Sequence, residues 1–351
     1  MTKKSRLSKV KSLVFWIVFP AALIFLVLAA LVFGVYRSES NNLLLKTARK
    51  VIPFPALYIK GAGFISTDEI KEDVQAVKKF YESQDFEKAG MRVDFSTEQG
   101  KKRLKVIEKG VINKLIENKI IIALAKEREI NISDAVVGER VNSAIEQFGN
   151  RQNLMSDLAR LYGWTLRDFE QKVVKPELYA DKLEEAYGNE IDTSKEEVKI
   201  NSLLERVAVK KEDFSKVATE ASEGESAKNG GDLGWSTKDQ LIGEVAEKAF
   251  SMKVGEISPI IKSPLGFHIV KLEEKKSEDG EEMVRIRQIF VKTVTFGDWL
   301  LDQMKKFKVV IFLKDYQWNP DKARVEFKDE SMRDFENNLD VNSSGDPSVL
   351  F

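Results

Sequence analysis

The stretch SPLGFHIVKLEEKKSEDGEEMVRIRQIFVKT, residues 263–293, holds two runs of aliphatic and aromatic residues separated by a charged segment. SPLGFHIVKL reads as a strand carrying the only histidine of the chain, His268; VRIRQIFVKT, 284–293, reads as a second strand carrying Gln288. The polar segment EKKSEDGEE, 274–282, reads as the loop between them. Antiparallel partners share a face, so pairing Leu272 with Val284 sets His268 opposite Gln288. A two-residue Asp279-Gly280 turn would shift the parity and send Gln288 to the other face. The two polar groups therefore meet only if the loop has odd length or a strand carries a bulge.

Working upstream, DFSKVATEAS (213–222) reads as a helix, SAKNGGDLGW (226–235) as a glycine turn running into a strand, and AFSMKVGEISPII (249–261) as a helix end followed by a turn. Between Glu197 and Asp213 the spacing of Val198, Leu203, Leu204 and Val207 predicts another helix. Gly230, Gly231 and Gly234 are not a phosphate cradle, because no lysine and hydroxyl follow at the required spacing.

Taken together, DFSKVATEAS, SAKNGGDLGW, AFSMKVGEISPII and SPLGFHIVKL resemble the parvulin family of peptidyl-prolyl isomerases. That resemblance implies a four-stranded antiparallel sheet with surrounding helices, and a proline pocket lined by Leu233, Leu241 and Val245. It also implies a polar network of His268, Gln288 and Ser263 beneath the substrate amide. Gly224, flanked by Glu223 and Glu225, stands where the family carries a cysteine or aspartate, and Gln288 stands where it carries a second histidine. The family's usual first strand does not precede the DFSKVA helix. VRIRQIFVKT resembles it, so a circular permutation of the domain is expected.

Residues 51–63, VIPFPALYIKGAG, predict an extended segment and a glycine turn, followed by a helix with Ser66 and Glu69 as its capping box and Ile70, Val74, Val77 and Tyr81 as its stripe. A long helix is expected over 97–129 on a stripe of Leu104, Ile107, Val111 and Leu115, then a Ser133-capped helix 134–148 closed by a left-handed Gly149. Helices 154–162, ended by Gly163, and 166–187, capped by Thr165 and kinked near Pro176, complete the set. The order, with the pattern VIEKGVINKLIENKIIIALAKEREINISDAVVGERV, resembles the N-terminal chaperone domain of SurA- and PrsA-type exported foldases.

At the N-terminus, Leu13 to Tyr36 are uncharged and long enough to cross a bilayer, with Lys3, Lys4, Arg6, Lys9 and Lys11 before them. A single transmembrane helix with its N-terminus cytoplasmic is expected, in a bacterial inner membrane, with all later domains outside; a cleaved signal peptide is the nearest alternative. Beyond residue 12 the chain has 51 basic against 56 acidic residues, which argues against nucleic-acid binding. The absence of cysteine excludes disulfides and zinc-thiolate sites, and no metal or cofactor is expected.

The expected fold class is thus α+β: basic tail 1–12, anchor 13–36, linker 37–55, SurA-like helical domain 56–190, parvulin-like domain 194–315, and a disordered polar tail 328–351. The implied function is an anchored extracytoplasmic prolyl isomerase and chaperone acting on newly exported polypeptides with X-Pro bonds. The alternative is a parvulin-fold holdase that binds such segments without catalysis.

Overall fold

The computed structural model describes residues 54–83, 94–278 and 280–342, and the expected basic tail and membrane span lie outside them. Among the described residues no helix is long and apolar enough to cross a membrane. The chain forms two units: Glu184–Asp302, and the described residues up to Leu183 together with those from Gln303 onward.

The first unit opens with a hairpin of β1 (Pro55–Ile59) and β2 (Gly63–Ser66). The Ser66 hydroxyl then accepts the Glu69 amide hydrogen at 3.1 Å and starts α1 (Thr67–Ser83). The long α2 (Glu98–Glu127), capped by Thr97, is enclosed by its neighbours. Its largest fully buried side chains are Ile112, Ile116 and Ile120, one face at a spacing of four, whereas Leu104, Val111 and Leu115 are only half-buried. Ser133 caps α3 (Asp134–Phe148) as expected, but the following Gly149 has φ 164°, extended rather than left-handed. Next come α4 (Arg151–Asp157), widening to a π turn over Leu158–Tyr162, and α5 (Leu166–Phe169), capped by Thr165 and Asp168 reciprocally. A second π turn, Glu170–Val174, leads into α6 (Lys175–Glu190). Pro176, near which a kink is expected, lies just beyond that π turn, and without an amide hydrogen it makes no rung of the helical ladder there.

The second unit continues with α7 (Ser194–Leu204), α8 (Phe214–Ala221), β3 (Asp232–Ser236), α9 (Gly243–Ser251), β4 (Ile261–Ser263), β5 (Gly266–Glu278) and β6 (Glu281–Lys292). The four strands form one antiparallel sheet in the order β3-β6-β5-β4. Alternation along β5 and β6 divides two cores. Phe267, Ile269, Ile289 and Val291 pack with Ile200, Leu203 and Val207 of the α7 segment and Val217 of α8. Val270, Leu272, Val284 and Ile286 pack with Val245 and Ala249 of α9. Val198 is 71% exposed, so the inward place on α7 belongs to Ile200.

The β5–β6 pairing departs from the expected register in an instructive way. Glu278 pairs with Glu281, so only two residues separate the strands, and EKKSE extends β5 rather than forming a loop. That short turn has the unfavourable parity, and a bulge corrects it: Leu272 pairs with Ile286 and Glu274 with Arg285, leaving Glu273 as the extra residue. Below the bulge His268 pairs with Phe290 and Val270 with Gln288. His268 and Gln288 are diagonal neighbours on one face, not direct partners.

After β6 the chain forms α10 (Phe296–Met304) and β7 (Val309–Ile311). β7 pairs with β1, Leu57 opposite Ile311, so this segment joins the first unit rather than extending the second to residue 315. A hairpin of β8 (Tyr316–Asn319) and β9 (Arg324–Phe327) follows, anchored on α2: Asn113 Oδ1 accepts the Val325 amide hydrogen at 2.7 Å and the Tyr316 hydroxyl donates to Glu108 at 2.7 Å. The tail expected to be disordered forms α11 over Glu330–Asn342. Its composition is polar, but Glu336 ion-pairs with the buried Lys109 of α2 and Arg333 donates to the Phe327 carbonyl at 2.7 Å, so α2 supplies partners that composition cannot reveal.

Gly231 has φ +78°, and a Cβ there would lie 2.4 Å from the Gln288 carbonyl oxygen. Because the obstacle is backbone and the conformation is left-handed, Gly231→Ala is expected to cost at least ~2 kcal/mol and to lower the unit's melting midpoint by roughly 5 °C or more. Differential scanning calorimetry of wild type and variant checks this.

Candidate active site

The sheet face shared with α9 carries the polar groups singled out in the sequence. His268 is 1% exposed and held at both ring nitrogens: Nε2 lies 2.7 Å from Ser263 Oγ, and Nδ1 lies 3.0 Å from Gln288 Oε1. A carboxamide oxygen only accepts, so Nδ1 carries the proton and Nε2 accepts from the Ser263 hydroxyl. The Leu265 amide donates to Ser263 Oγ at 3.1 Å, which fixes the hydroxyl from the tight turn between β4 and β5. One end of the network is therefore set by a hairpin and the other by the neighbouring strand.

The apolar candidates gather on the same face. Half-buried Leu233 and Leu241 pack on the cluster of Val245, Ile261, Val270 and Ile286. Ile261 pairs with His268 and Val270 with Gln288, so the cluster and the polar network adjoin. Val245 is 1% exposed; its side chain backs the other two and presents no surface of its own.

Two further residues at the network escaped the sequence reading. The Phe290 ring stacks on the imidazole at 4.7 Å between centroids, and the Ser222 hydroxyl accepts the Phe290 amide hydrogen at 3.0 Å. Phe290 is the cross-strand partner of His268, so a correct register was the signal needed to find it. Gly224 does lie here: a Cβ at that position would sit 3.8 Å from Gln288 Nε2 in ordinary contact. Neither flanking glutamate substitutes for it. Glu223 accepts from Lys199 Nζ at 2.5 Å and from the Lys292 amide at 2.7 Å, and Glu225 is exposed. Burial works to raise the Glu223 pKa, but those two bonds and the Lys199 charge hold it below the usual carboxylate range.

Comparison with known proteins bears on this arrangement. The rotamase family, a PPIC-type PPIASE domain, matches residues 182–274. Foldase protein PrsA of Geobacillus kaustophilus is 31% identical over 243 residues, 65% of this chain and 80% of that protein. Foldase protein PrsA of Caldanaerobacter subterraneus is 30% identical over 260 residues, 64% of this chain and 82% of that protein. The chain belongs to the PrsA foldase family. Chaperone SurA of Alkalilimnicola ehrlichii is also similar, 32% identical over 112 residues, 32% of this chain and 26% of that protein. Within this PrsA-family chain the rotamase match includes β3, β4 and His268 but stops at residue 274, before β6 and Gln288.

Burial pushes the His268 imidazole below its ordinary value of 6.5, opposed by the bond to Gln288 and the Glu244 carboxylate. The native state therefore keeps the ring neutral at pH 7, whereas an unfolded chain protonates it near 6.5. Stability conferred by the neutral ring is present above that pH and is lost as the pH falls through it toward the lower folded-state value. Because His268 is the only histidine, its signals need no assignment. Imidazole ¹⁵N spectra are expected to show the Nδ1-protonated tautomer at neutral pH and a titration midpoint below 6.5.

Proposed function

We propose that this protein is a peptidyl-prolyl cis-trans isomerase and chaperone that assists the folding of exported proteins, with β6 standing in for the first strand of a permuted parvulin domain. The observation that carries the proposal is the Ser263–His268–Gln288 chain of hydrogen bonds set against the apolar cluster with Leu233 and Leu241, inside a PrsA-family chain. Rotation about an X-Pro bond faces a barrier of ~18 to 20 kcal/mol, because twisting the amide sacrifices its resonance and charge separation. A site gains rate by gripping the proline ring and removing the amide from water, where its planar form is best solvated.

Leu233 and Leu241 supply the grip in this reading, with Val245 behind them. The neutral His268 presents no charge to the amide, and its proton holds Gln288 Oε1. Among the described residues Gln288 Nε2 has no protein acceptor, so this amide group is free to donate to a substrate carbonyl. Glutamine does not titrate, which leaves the donor unchanged across the working pH range.

For the chaperone role the support lies in the first unit. Tyr58 pairs with both Phe64 and Val310, so the three share a face of the β2-β1-β7 sheet, and Phe312 follows two residues beyond Val310. Phe64 is 58% exposed, Val310 49% and Phe312 44%. Exposed apolar surface of this kind suits transient contact with unfolded segments. The residues Leu13 to Tyr36 complete the proposal as a single-pass anchor that holds both units on the extracytoplasmic side of the bacterial cell membrane.

The second reading, a holdase without catalysis, is favoured by Gly224, which puts no side chain beside Gln288. A proline-limited peptide isomerisation assay on the full chain in detergent separates the two, with catalysis above the spontaneous rate expected. Leu241→Ala is expected to lower kcat/KM by about 5- to 20-fold through lost apolar contact. His268→Ala is expected to lower kcat, and unchanged turnover in both variants would remove the site assignment. Phe64→Ser with Phe312→Ser is expected to weaken suppression of client aggregation, read by light scattering, and to leave peptide turnover unaltered.

A further inference from the structure

The first unit contains a cleft of about 590 Å³ that the isomerase reading does not use. Its lining includes Lys305, Lys306, Lys308 and Lys328 and, among the described residues, no carboxylate. The Lys306 ammonium donates only to Gln303 Oε1, at 3.1 Å, and neither Lys308 nor Lys328 has a carboxylate partner among the described residues. Lys306, Lys308 and Lys328, none with a carboxylate partner among the described residues, repel one another, and a ligand bearing several negative charges relieves that repulsion.

The remainder of the wall is apolar. Phe307, Val309, Ile311 and Trp318 are all half-buried, and the volume accommodates a few side chains. A bare polyphosphate would leave this surface uncovered. Nucleobases would leave the aliphatic surface of Val309 and Ile311 unmatched, and Tyr316, 2% exposed, offers them no face to stack on. A polypeptide alternating carboxylates with aliphatic side chains matches both parts of the wall.

We propose that this cleft binds acidic, extended segments of unfolded polypeptide, seating their carboxylates on Lys306, Lys308 and Lys328 and their apolar side chains on Val309, Ile311 and Trp318. The inference rests on the foldase reading and adds a client class to it. The first unit would then favour acidic segments, independently of proline.

Fluorescence anisotropy on the full chain tests this with an unstructured labelled peptide alternating glutamate and leucine, and with matched peptides carrying glutamine or lysine instead. Wild type is expected to prefer the glutamate peptide, with affinity falling as salt rises. Lys306→Gln, Lys308→Gln and Lys328→Gln combined are expected to weaken it by at least about tenfold while circular dichroism and X-Pro turnover stay at wild-type values. Equal binding of the three peptides, unchanged binding by the triple variant, or tighter binding of inorganic polyphosphate or a single-stranded oligonucleotide would overturn the proposal. If X-Pro turnover and aggregation suppression persist in that event, the foldase reading stands without it; if turnover and suppression are both absent in wild type, that reading fails on its own account.

Discussion

A β-strand offers its side chains to alternate faces, and everything at the candidate site depends on His268 and Gln288 landing on the same one. The two-residue connection between β5 and β6 would separate them, and the extra residue at Glu273 restores the parity. With the faces reconciled, one side of the sheet is continuously apolar against α7 and α8, and the other carries the imidazole beside the α9 cluster. The bulge residue is itself held: Glu273 accepts from Lys271 at 3.0 Å and from Arg287 Nε at 3.2 Å. A local irregularity in one strand thus determines the chemistry several residues away.

The network that results is short and uncharged. Burial keeps the imidazole neutral, and its two neighbours can complete it without any ionised group: the hydroxyl gives a proton and the carboxamide oxygen takes one. A buried charge here would carry a desolvation cost of several kcal/mol without a counter-ion to offset it. Stacking of Phe290 on the ring adds a wall that excludes water from one side of the imidazole.

Much of this was legible in the residues alone. Caps at Ser66, Ser133 and Thr165, the strand with the histidine, and the need for a bulge or odd loop all follow from local chemistry, and the structure contains them. What escaped depends on distant partners. The polar residues 274–278 look like loop until two long arms pair along their length, and their register is set by a bulge whose position no local rule fixes. Val198 and Ile200 are both plausible inward residues of a helix, and only the sheet beneath decides for Ile200. The strand Val309–Ile311 and the helix Glu330–Asn342 find their partners on β1 and α2, some two hundred residues earlier or more. No periodicity within either segment encodes that choice.

The late arrival of β7 has a consequence for biogenesis. A polypeptide threaded outward from its N-terminus releases β1 and α2 well before the residues that complete their packing, while the whole of Glu184–Asp302 emerges in between. The intervening unit can therefore mature first, with the earlier one waiting as an unfinished platform whose Leu57 and Asn113 lack the partners that Ile311 and Val325 later supply. Such a chain is, for that interval, in the same condition as the clients it would serve.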